Sequence, residues 1–400
     1  MNSQCCSNRY YFSLTALYFF VTLTHLHAAL QTHYQSGPLH GITDVTGVRI
    51  AHVTKISGSG ALHPGIGPVR TGATAILPND DIWNKRLSAA TETLNGNGEL
   101  TGTHWIKESG YLETPILITN TLNVGQVSDG VIDWMIKRYP QIGISDDVPI
   151  PVVGECDDQF LNDIQGRHVS SKDIVEALNH CSTGQFQRGN VGAGVGMILF
   201  GFKGGIGSAS CILPQSQGGY VVGVLVNANN GSQPLSDLLI DGVGVGRILE
   251  AEKQLPRRIN HVKEAIDKKI PDGSIVVVLA TDAPLEAREL HQLAKRAILG
   301  LGRTGLTSNI SSGDFIIAFS TTHWISRNRE HQSQTPIEIN NDRLNALFEA
   351  TVQSVEAAVD DALFSAKTMI GINDRKIDAL PLERVAQILK DSPSRIKNYE

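Results

Sequence analysis

The sequence lacks a surplus of either charge. Its 34 lysine and arginine residues nearly balance 40 aspartate and glutamate residues in a chain of 400, which gives a formal net charge of -6. Proteins that bind nucleic acid or anionic membranes usually carry a marked positive balance or patch. The composition therefore gives no electrostatic sign of either partner, and we expect small neutral substrates or other proteins instead.

Cysteine is also scarce, with only five residues in the whole chain. Beyond the N-terminal region only Cys156, Cys181 and Cys211 remain. An odd number of widely spaced cysteines is neither a disulfide framework nor a zinc motif.

Several catalytic motifs are missing. The sequence contains no HExxH, its 13 histidines are dispersed, and no GxSxG is present. The segment GNVGAGVG (189–196) looks like a phosphate loop but has neither the GxGxxG spacing nor a following Lys-Ser/Thr. These absences argue against a metalloprotease, a nucleotide-binding enzyme and a Ser-His-Asp hydrolase, and we predict no cofactor and no metal.

The N-terminus has the pattern of a targeting segment. Arg9 precedes an apolar run (11–24), and small residues follow at Ala28 and Ala29. The run is too short for a stable membrane span. We predict that residues 1–29 form a signal peptide, so that the mature protein is periplasmic or secreted and not membrane-bound; the alternative is an uncleaved anchor.

The rest of the chain predicts a layered α+β fold rather than a doubly wound α/β sheet, because helices and strands do not alternate regularly. The 39 glycines are scattered among short apolar runs that suit sheets buried on both faces. The predicted strands are 72–77, 114–119, 197–202, 221–226, 274–280 and 315–319.

Two helices have the clearest patterns. In the first, Asp282 is a candidate cap and Pro284 a candidate first residue, and Gly300 closes an apolar stripe. In the second, apolar residues recur every three or four positions from Leu344 to Leu363, which predicts one long helix packed on a sheet.

The segment NANNGSQP (227–234) follows one of the apolar runs and allows three interpretations. Asn-Gly is a strong hairpin signal, and Asn230-Gly231-Ser232 also matches the N-glycosylation sequon. In the third interpretation the protein cuts its own peptide bond between Gly231 and Ser232. Residue types alone favour a plain turn.

Self-cleavage at this bond would explain a hydrolase without a histidine. Gly231 has no Cβ, so its carbonyl is open to attack by the Ser232 hydroxyl. The attack turns an amide into an ester, which water hydrolyses to leave an N-terminal serine. The new α-amino group has an ordinary pKa of about 7.7 to 8.0, which suits a general base.

Ten short motifs in fixed order carry a resemblance that covers nearly all of the chain beyond the N-terminal segment. They are residues 41–49, 95–105, 151–155, 161–164, 189–194, 201–207, 222–229, 280–285, 302–305 and 311–314. Together they resemble the DmpA-type aminopeptidases, the self-cleaving L-aminopeptidase/D-amidase-esterase family that includes the β-peptidyl aminopeptidases.

The resemblance implies a four-layer αββα sandwich and an enzyme that removes N-terminal residues from short peptides, aminoacyl amides and esters. It implies one catalytic domain made of an α-chain (30–231) and a β-chain (232–400), assembled into a homo-oligomer. Ser232 takes the position of the nucleophile and Asn190 that of an oxyanion donor. Glu155 takes the position of the carboxylate that holds the substrate ammonium, although a surface strand end is its plainer interpretation.

Other positions stay open. The resemblance makes Asp282 and Thr281 polar partners of the nucleophile, whereas Asp282 would otherwise merely cap a helix. Residues 311–314 either line the site or form a turn. Family members often carry tyrosine where this chain has Asp157, which implies either that Asn190 and backbone N–H groups suffice for the oxyanion or that specificity has shifted toward more positive substrates. The plainer interpretation of Asp157 and the following Asp158 is that they are solvated loop carboxylates.

Two other functions compete with the aminopeptidase. An acyltransferase of the ornithine acetyltransferase type has a similar fold and also cuts itself, but its nucleophile is normally threonine, so Ser232 argues against it. A non-catalytic protein that has kept the fold predicts an intact chain.

Overall fold

The computed structural model describes residues 33–252, 273–328 and 339–392. The predicted signal peptide (1–29) lies outside these ranges. Within them, no helix combines the length and the hydropathy that crossing a bilayer requires.

The strands of the described residues form two main sheets and two short hairpins. The four-stranded sheet contains β1 (Arg49–Ser57), β2 (Val69–Leu77), β5 (Ile116–Thr119) and β6 (Val152–Glu155) in the order β1-β2-β5-β6. The six-stranded sheet has the order β4-β3-β12-β11-β10-β9, with β3 (Lys85–Gly96), β4 (Tyr111–Leu112), β9 (Gly205–Ile212), β10 (Val221–Asn229), β11 (Ser274–Thr281) and β12 (Gly313–Ser326). The hairpins are β7 (Ile198–Leu199) with β8 (Phe202–Lys203), and β13 (Met369–Ile370) with β14 (Lys376–Ile377).

The helices of the same ranges flank the sheets. They are α1 (Thr103–Ser109), α2 (Val124–Arg138), α3 (Ser171–Asn179), α4 (Val245–Ala251), α5 (Ala287–Arg303), α6 (Asn341–Ser365) and α7 (Leu382–Asp391).

Two hydrophobic cores define four layers. One core joins a face of the six-stranded sheet to α5 and α6, and contains Val224, Leu293 and Val359. The other core joins the opposite face of that sheet to the four-stranded sheet and, beyond it, to α2 and α3. The order helices, sheet, sheet, helices is the predicted αββα sandwich, so this prediction and the α+β class are confirmed.

The central strands are apolar along their whole length because both faces are buried. In β11, Val277 belongs to the helix-facing core and its neighbours Val276 and Val278 to the core between the sheets. Alternate residues of a strand point to opposite faces, so a strand covered on both sides reads as one continuous hydrophobic run. Five of the six predicted strands lie in β2, β5, β10, β11 and β12.

The sixth predicted strand (197–202) is wrong. This segment forms the hairpin β7/β8, which reverses at Phe200 and Gly201, both with positive φ (50° and 77°). Apolar content alone did not reveal the reversal, because Phe-Gly is not a usual turn pair.

The long helix is confirmed as α6, and the other predicted helix is present with a shifted start. Helix α5 begins at Ala287, and Glu286 with Glu289 forms its capping box. Asp282 is not the cap, because its Oδ1 accepts the N–H of Val221 at 2.7 Å. Gly300 lies inside the helix, where an added Cβ would come within 2.7 Å of the Val355 Cβ, so glycine allows α5 and α6 to pack closely.

Two leucines of α5 provide a matched test of the helix-facing core. Leu293 is fully buried and Leu299 is 60% exposed. We expect Leu293→Ala to lower the free energy of unfolding by about 2–5 kcal/mol, because it leaves a cavity. Leu299→Ala should change it by less than about 0.5 kcal/mol. Guanidinium unfolding followed by circular dichroism measures both; equal losses would contradict the described orientation of α5.

Candidate active site

The predicted nucleophile lies where three strands of the six-stranded sheet meet. Strand β10 ends at Asn229, and Ser232 follows in a half-buried turn. Asn229 pairs with Ser274, the first residue of β11, and Ser274 pairs with Gly313, the first residue of β12. The loop that leads into β12 therefore reaches the same edge of the sheet as the Gly231–Ser232 bond.

A chain of hydrogen bonds connects these strand ends. The Asn230 amide donates to the Ser312 hydroxyl at 3.4 Å, and that hydroxyl donates to Asp314 at 2.7 Å. Asn95 donates to the other Asp314 oxygen at 3.0 Å. Burial raises the pKa of the Asp314 carboxyl, whereas its hydrogen bonds, the one from Ser312 foremost, act in the opposite direction. This geometry favours the interpretation that residues 311–314 line the site.

Asn230 also carries an unsatisfied acceptor. Its side chain is almost fully buried, and its Oδ1 has no hydrogen-bond partner among the described residues. Because buried polar atoms are normally paired, this oxygen is available to a ligand donor or a water molecule next to the Gly231–Ser232 bond.

Glu155 reaches the same edge from the other sheet. It is the last residue of β6, and only 2% of its surface is exposed. Its carboxylate accepts the Glu99 N–H at 3.0 Å and the Thr121 hydroxyl. Burial raises the pKa of Glu155; the Thr121 and Glu99 hydrogen bonds oppose this rise, and the negative charges of Asp157 and Glu99 add to it. A buried carboxylate held in this way suits the recognition of a cation.

Gly98 brings Glu155 close to β12. A Cβ built on Gly98 would overlap Oε1 of Glu155 and come within 3.1 Å of the Phe315 ring. Glycine is therefore required between the carboxylate and the start of β12, immediately beside Ser312 and Asp314.

The residues after Glu155 cross the end of β10. The thiol of Cys156 lies 3.6 Å from the main-chain oxygens of Asn227 and Ser274, and the Asn229 amide donates to the Asp157 carbonyl at 2.8 Å. The Asp157 carboxylate accepts hydrogen bonds from the main chain and the side chain of Gln159. The structure thus brings Glu155, Asp157 and the Gly231–Ser232 bond to one edge of the sandwich.

Asn190 is held by another segment. Its Oδ1 accepts the Lys367 N–H at 2.9 Å, and its Nδ2 donates to the Lys367 carbonyl at 2.6 Å. One N–H of the amide is not used by this pair of bonds. An oxyanion contact from Asn190 stays a prediction.

The structure separates Asp282 and Thr281 from Ser232, which corrects their predicted contact with the nucleophile. Thr281 pairs with Val222, at the opposite end of β10 from Asn229. Seven residues of a strand span roughly 24 Å. Both side chains have local partners there, since Thr281 donates to the Val221 carbonyl at 2.7 Å and Asp282 accepts the Val221 N–H.

Sequence reasoning missed the supporting residues of the site. Asn95 and Thr121 fix the two carboxylates, and the hairpin β7/β8 contacts the residues before the predicted cut. Asn95 lies inside one of the motifs that carry the resemblance (95–105), and that motif could have identified it as a site residue. Thr121 follows a predicted strand without any motif of its own. No group of three or more His, Cys, Asp or Glu residues in the described ranges is arranged to hold a metal.

Known proteins resemble this chain over most of its length. The chain is 42% identical over 361 residues to a protein named beta-peptidyl aminopeptidase BapA from Sphingosinicella microcystinivorans, and the match covers 88% of each chain. Among solved structures, the PH0078 protein of Pyrococcus horikoshii superposes with a TM-score of 0.82 at 40% identity, over 91% of this chain and 98% of the other.

A second similar solved structure is that of an enzyme whose activity is described. The L-aminopeptidase D-Ala-esterase/amidase of Ochrobactrum anthropi, described as a prototype for the serine aminopeptidases and a variant of the Ntn hydrolase fold, superposes with a TM-score of 0.79 at 37% identity. It covers 90% of this chain and 96% of its own. The family model for peptidase family S58 matches residues 40–377. The chain therefore belongs to peptidase family S58, and it is an aminopeptidase of that family.

Proposed function

We propose that the protein cuts itself between Gly231 and Ser232, and that Ser232 then removes N-terminal residues from short peptides, aminoacyl amides and esters. The observation that carries the proposal is the position of this bond. It begins two residues after β10, a strand buried from Val222 to Asn229, and lies in a turn where Asn230, the Ser312–Asp314 pair and the Glu155–Asp157 segment converge.

In the first reaction the two parts of the chain stay covalently linked until the last step. The Ser232 hydroxyl attacks the Gly231 carbonyl, the C–N bond breaks, and the nitrogen takes up the hydroxyl proton to become an α-amino group. Water then hydrolyses the resulting ester. The products are a carboxylate on Gly231 and a chain that begins with Ser232.

The second reaction is the aminopeptidase cycle. The α-amino group of Ser232 accepts the proton of its own hydroxyl, and the hydroxyl oxygen attacks the carbonyl of the substrate's first residue. The C–N bond after that carbonyl breaks, the leaving amine takes up the proton, and water then hydrolyses the ester that links the first residue to Ser232. Glu155 holds the substrate's ammonium, because its buried carboxylate is a strong acceptor for charged N–H donors. Asp314 holds Ser312 and, through it, the Asn230 amide in place beside the nucleophile.

The names of the relatives support amide and ester substrates with a free amino group. One is called a beta-peptidyl aminopeptidase and another an L-aminopeptidase and D-Ala-esterase/amidase. We extend to this chain the hydrolysis of aminoacyl amides, with L-, D- and β-aminoacyl p-nitroanilides as the panel that defines its preference.

The proposal includes the predicted processing and assembly. Residues 1–29 direct export to the periplasm or the medium and are removed. Residues 30–231 and 232–400 stay together as the two chains of one catalytic domain, and several such units form a homo-oligomer.

Intact mass and N-terminal sequencing of the purified enzyme test the cleavage. We expect two fragments, the second beginning Ser-Gln-Pro, and we expect Ser232→Ala to remain a single chain without hydrolytic activity. Ser216→Ala, in an exposed 3-10 helix (Gln215–Gln217) between β9 and β10 at the opposite end of β10 from Ser232, serves as the control and should be cleaved and active. An active wild type that stays whole, as a protein without self-cleavage would, contradicts the proposal.

Two glycines of one motif test the role of Glu155. Gly98→Ala should displace the Glu155 carboxylate and raise KM for aminoacyl p-nitroanilides by about tenfold or more, as expected for a lost hydrogen bond to a charged group. Gly96→Ala is the matched control, because a Cβ there meets no atom within 4 Å. Steady-state kinetics of the two variants measures this difference. Equal KM values would show that the substrate ammonium is not bound by Glu155.

The acid limb of the pH profile tests the same carboxylate. Protonated Glu155 cannot hold an ammonium, so KM should rise as the pH falls through its raised pKa. The negative charge of Asp157 contributes to the raised pKa of Glu155. Asp157→Asn should therefore lower that pKa and move the acid limb to lower pH. Asp147→Asn, at an exposed position, should leave the limb in place. A limb that stays fixed or moves upward in Asp157→Asn would rule out this coupling.

A further inference from the structure

The hairpin β7/β8 has a strained turn. Phe200 and Gly201 both have positive φ (50° and 77°), as a two-residue type I′ turn requires. A bulky residue rarely adopts this conformation, and Phe200 is nevertheless almost fully buried. Such a conformation persists only when the surrounding structure fixes it, and it is most common at functional sites.

This hairpin contacts the two residues that precede Gly231. The N–H of Ile198 donates to the Asn229 side-chain oxygen at 2.9 Å, and the N–H of Phe200 donates to the Asn230 carbonyl at 3.1 Å. The conformation of the hairpin therefore sets where the chain stands as it enters Gly231.

A buried cation in turn fixes the hairpin. Lys203 has no exposed surface, and its ammonium donates to three main-chain carbonyls: Gly194 at 2.9 Å, Met197 at 2.7 Å and Gly204 at 2.9 Å. Two of these carbonyls precede β7 and one follows β8, so a single charge ties both ends of the hairpin together.

The three bonds match the charged form of the side chain. An ammonium has three N–H donors, whereas a neutral amine has two. Burial lowers the pKa of Lys203 well below its ordinary value, and the Asp158 carboxylate opposes that change. A buried charge is costly unless hydrogen bonds satisfy it, and here all three donors are satisfied.

We propose that Lys203 is a positioning residue for self-cleavage. It locks the strained hairpin whose Ile198 and Phe200 N–H groups hold Asn229 and Asn230, and so places the Gly231 carbonyl within reach of the Ser232 hydroxyl. This inference rests on the proposed cleavage at Gly231–Ser232 and adds a residue that does not touch the reacting atoms.

The first test compares Lys203→Met with Arg70→Met. Arg70 is also a buried cation that donates to main-chain carbonyls, those of Ser57, Gly58, Val69 and Ile370, none of which belongs to the hairpin or to residues 229–232. Cleavage rates come from a pulse–chase of the full chain with intact-mass detection. Thermal midpoints come from the same substitutions in the uncleaved Ser232→Ala background.

Both variants should lose thermal stability, but only one should lose cleavage. We expect Lys203→Met to slow cleavage by about tenfold or more, because misplacement by about 1 Å can cost on the order of 100-fold in rate. Arg70→Met should remain within about twofold of wild type, since it leaves the reacting groups in place.

A milder pair decides the matter if Lys203→Met does not fold. Gly201 and Gly65 have positive φ (77° and 83°), and an added Cβ meets no atom within 4 Å at either position. Each change to alanine therefore strains only the backbone. Gly201→Ala should slow cleavage by several-fold, whereas Gly65→Ala should not change it.

The outcomes separate the two proposals. If wild type is never cut after Gly231, the proposed self-cleavage fails. If wild type is cut, and Lys203→Met or Gly201→Ala is cut as fast as its matched control, the positioning role of Lys203 alone is overturned.

Discussion

The burial of the central sheet on both faces is the constraint on which the rest of this structure depends. Strands β10 and β11 are covered by helices on one side and by the second sheet on the other, so polar groups in their middle would lack water and partners. Apart from Asn227, the polar side chains of these two strands therefore lie at the strand ends. The end of β10 and the starts of β11 and β12 coincide because of the strand register, and the site forms at that edge.

The same constraint explains which parts of the fold were predictable. Strands buried on both faces give continuous apolar runs, and a long helix packed on a sheet gives an apolar stripe, so β10, β11 and α6 could be read from the sequence. The hairpin β7/β8 could not, because buried packing holds Phe200 in a conformation that its residue type disfavours. The start of α5 was misplaced for a related reason: Asp282 is a good cap by type, but tertiary structure gives it the Val221 N–H.

Some residues of the candidate site could likewise be predicted from the sequence, and others could not. Glu155 and Asp157 were predicted from a motif, and the structure brings them to the edge that carries the Gly231–Ser232 bond. Asp282 and Thr281 were also predicted, yet the antiparallel register of β10 and β11 carries them to the far end of the sheet. The number of residues between a side chain and Ser232 in the sequence does not predict whether the two are close in space. Residues at the two ends of the same strand lie at opposite edges of the sheet, and only one of these edges carries the site. Ser312 and Asp314, which follow Ser232 by 80 and 82 residues in the sequence, are brought close by the parallel pairing of β11 with β12.

The proposed self-processing places two different demands on this edge. Before the cut, the nitrogen of Ser232 is part of an amide and cannot act as a base, so the first attack depends on how the surrounding chain holds the bond. After the proposed cut, the free amino group would supply the base, and the same surroundings would hold a substrate. The Lys203-bound hairpin contacts the residues before the bond, whereas Glu155 belongs to the other sheet and accepts the Glu99 N–H. Because the two sets of contacts come from different elements, substitutions should be able to impair cleavage and substrate binding independently.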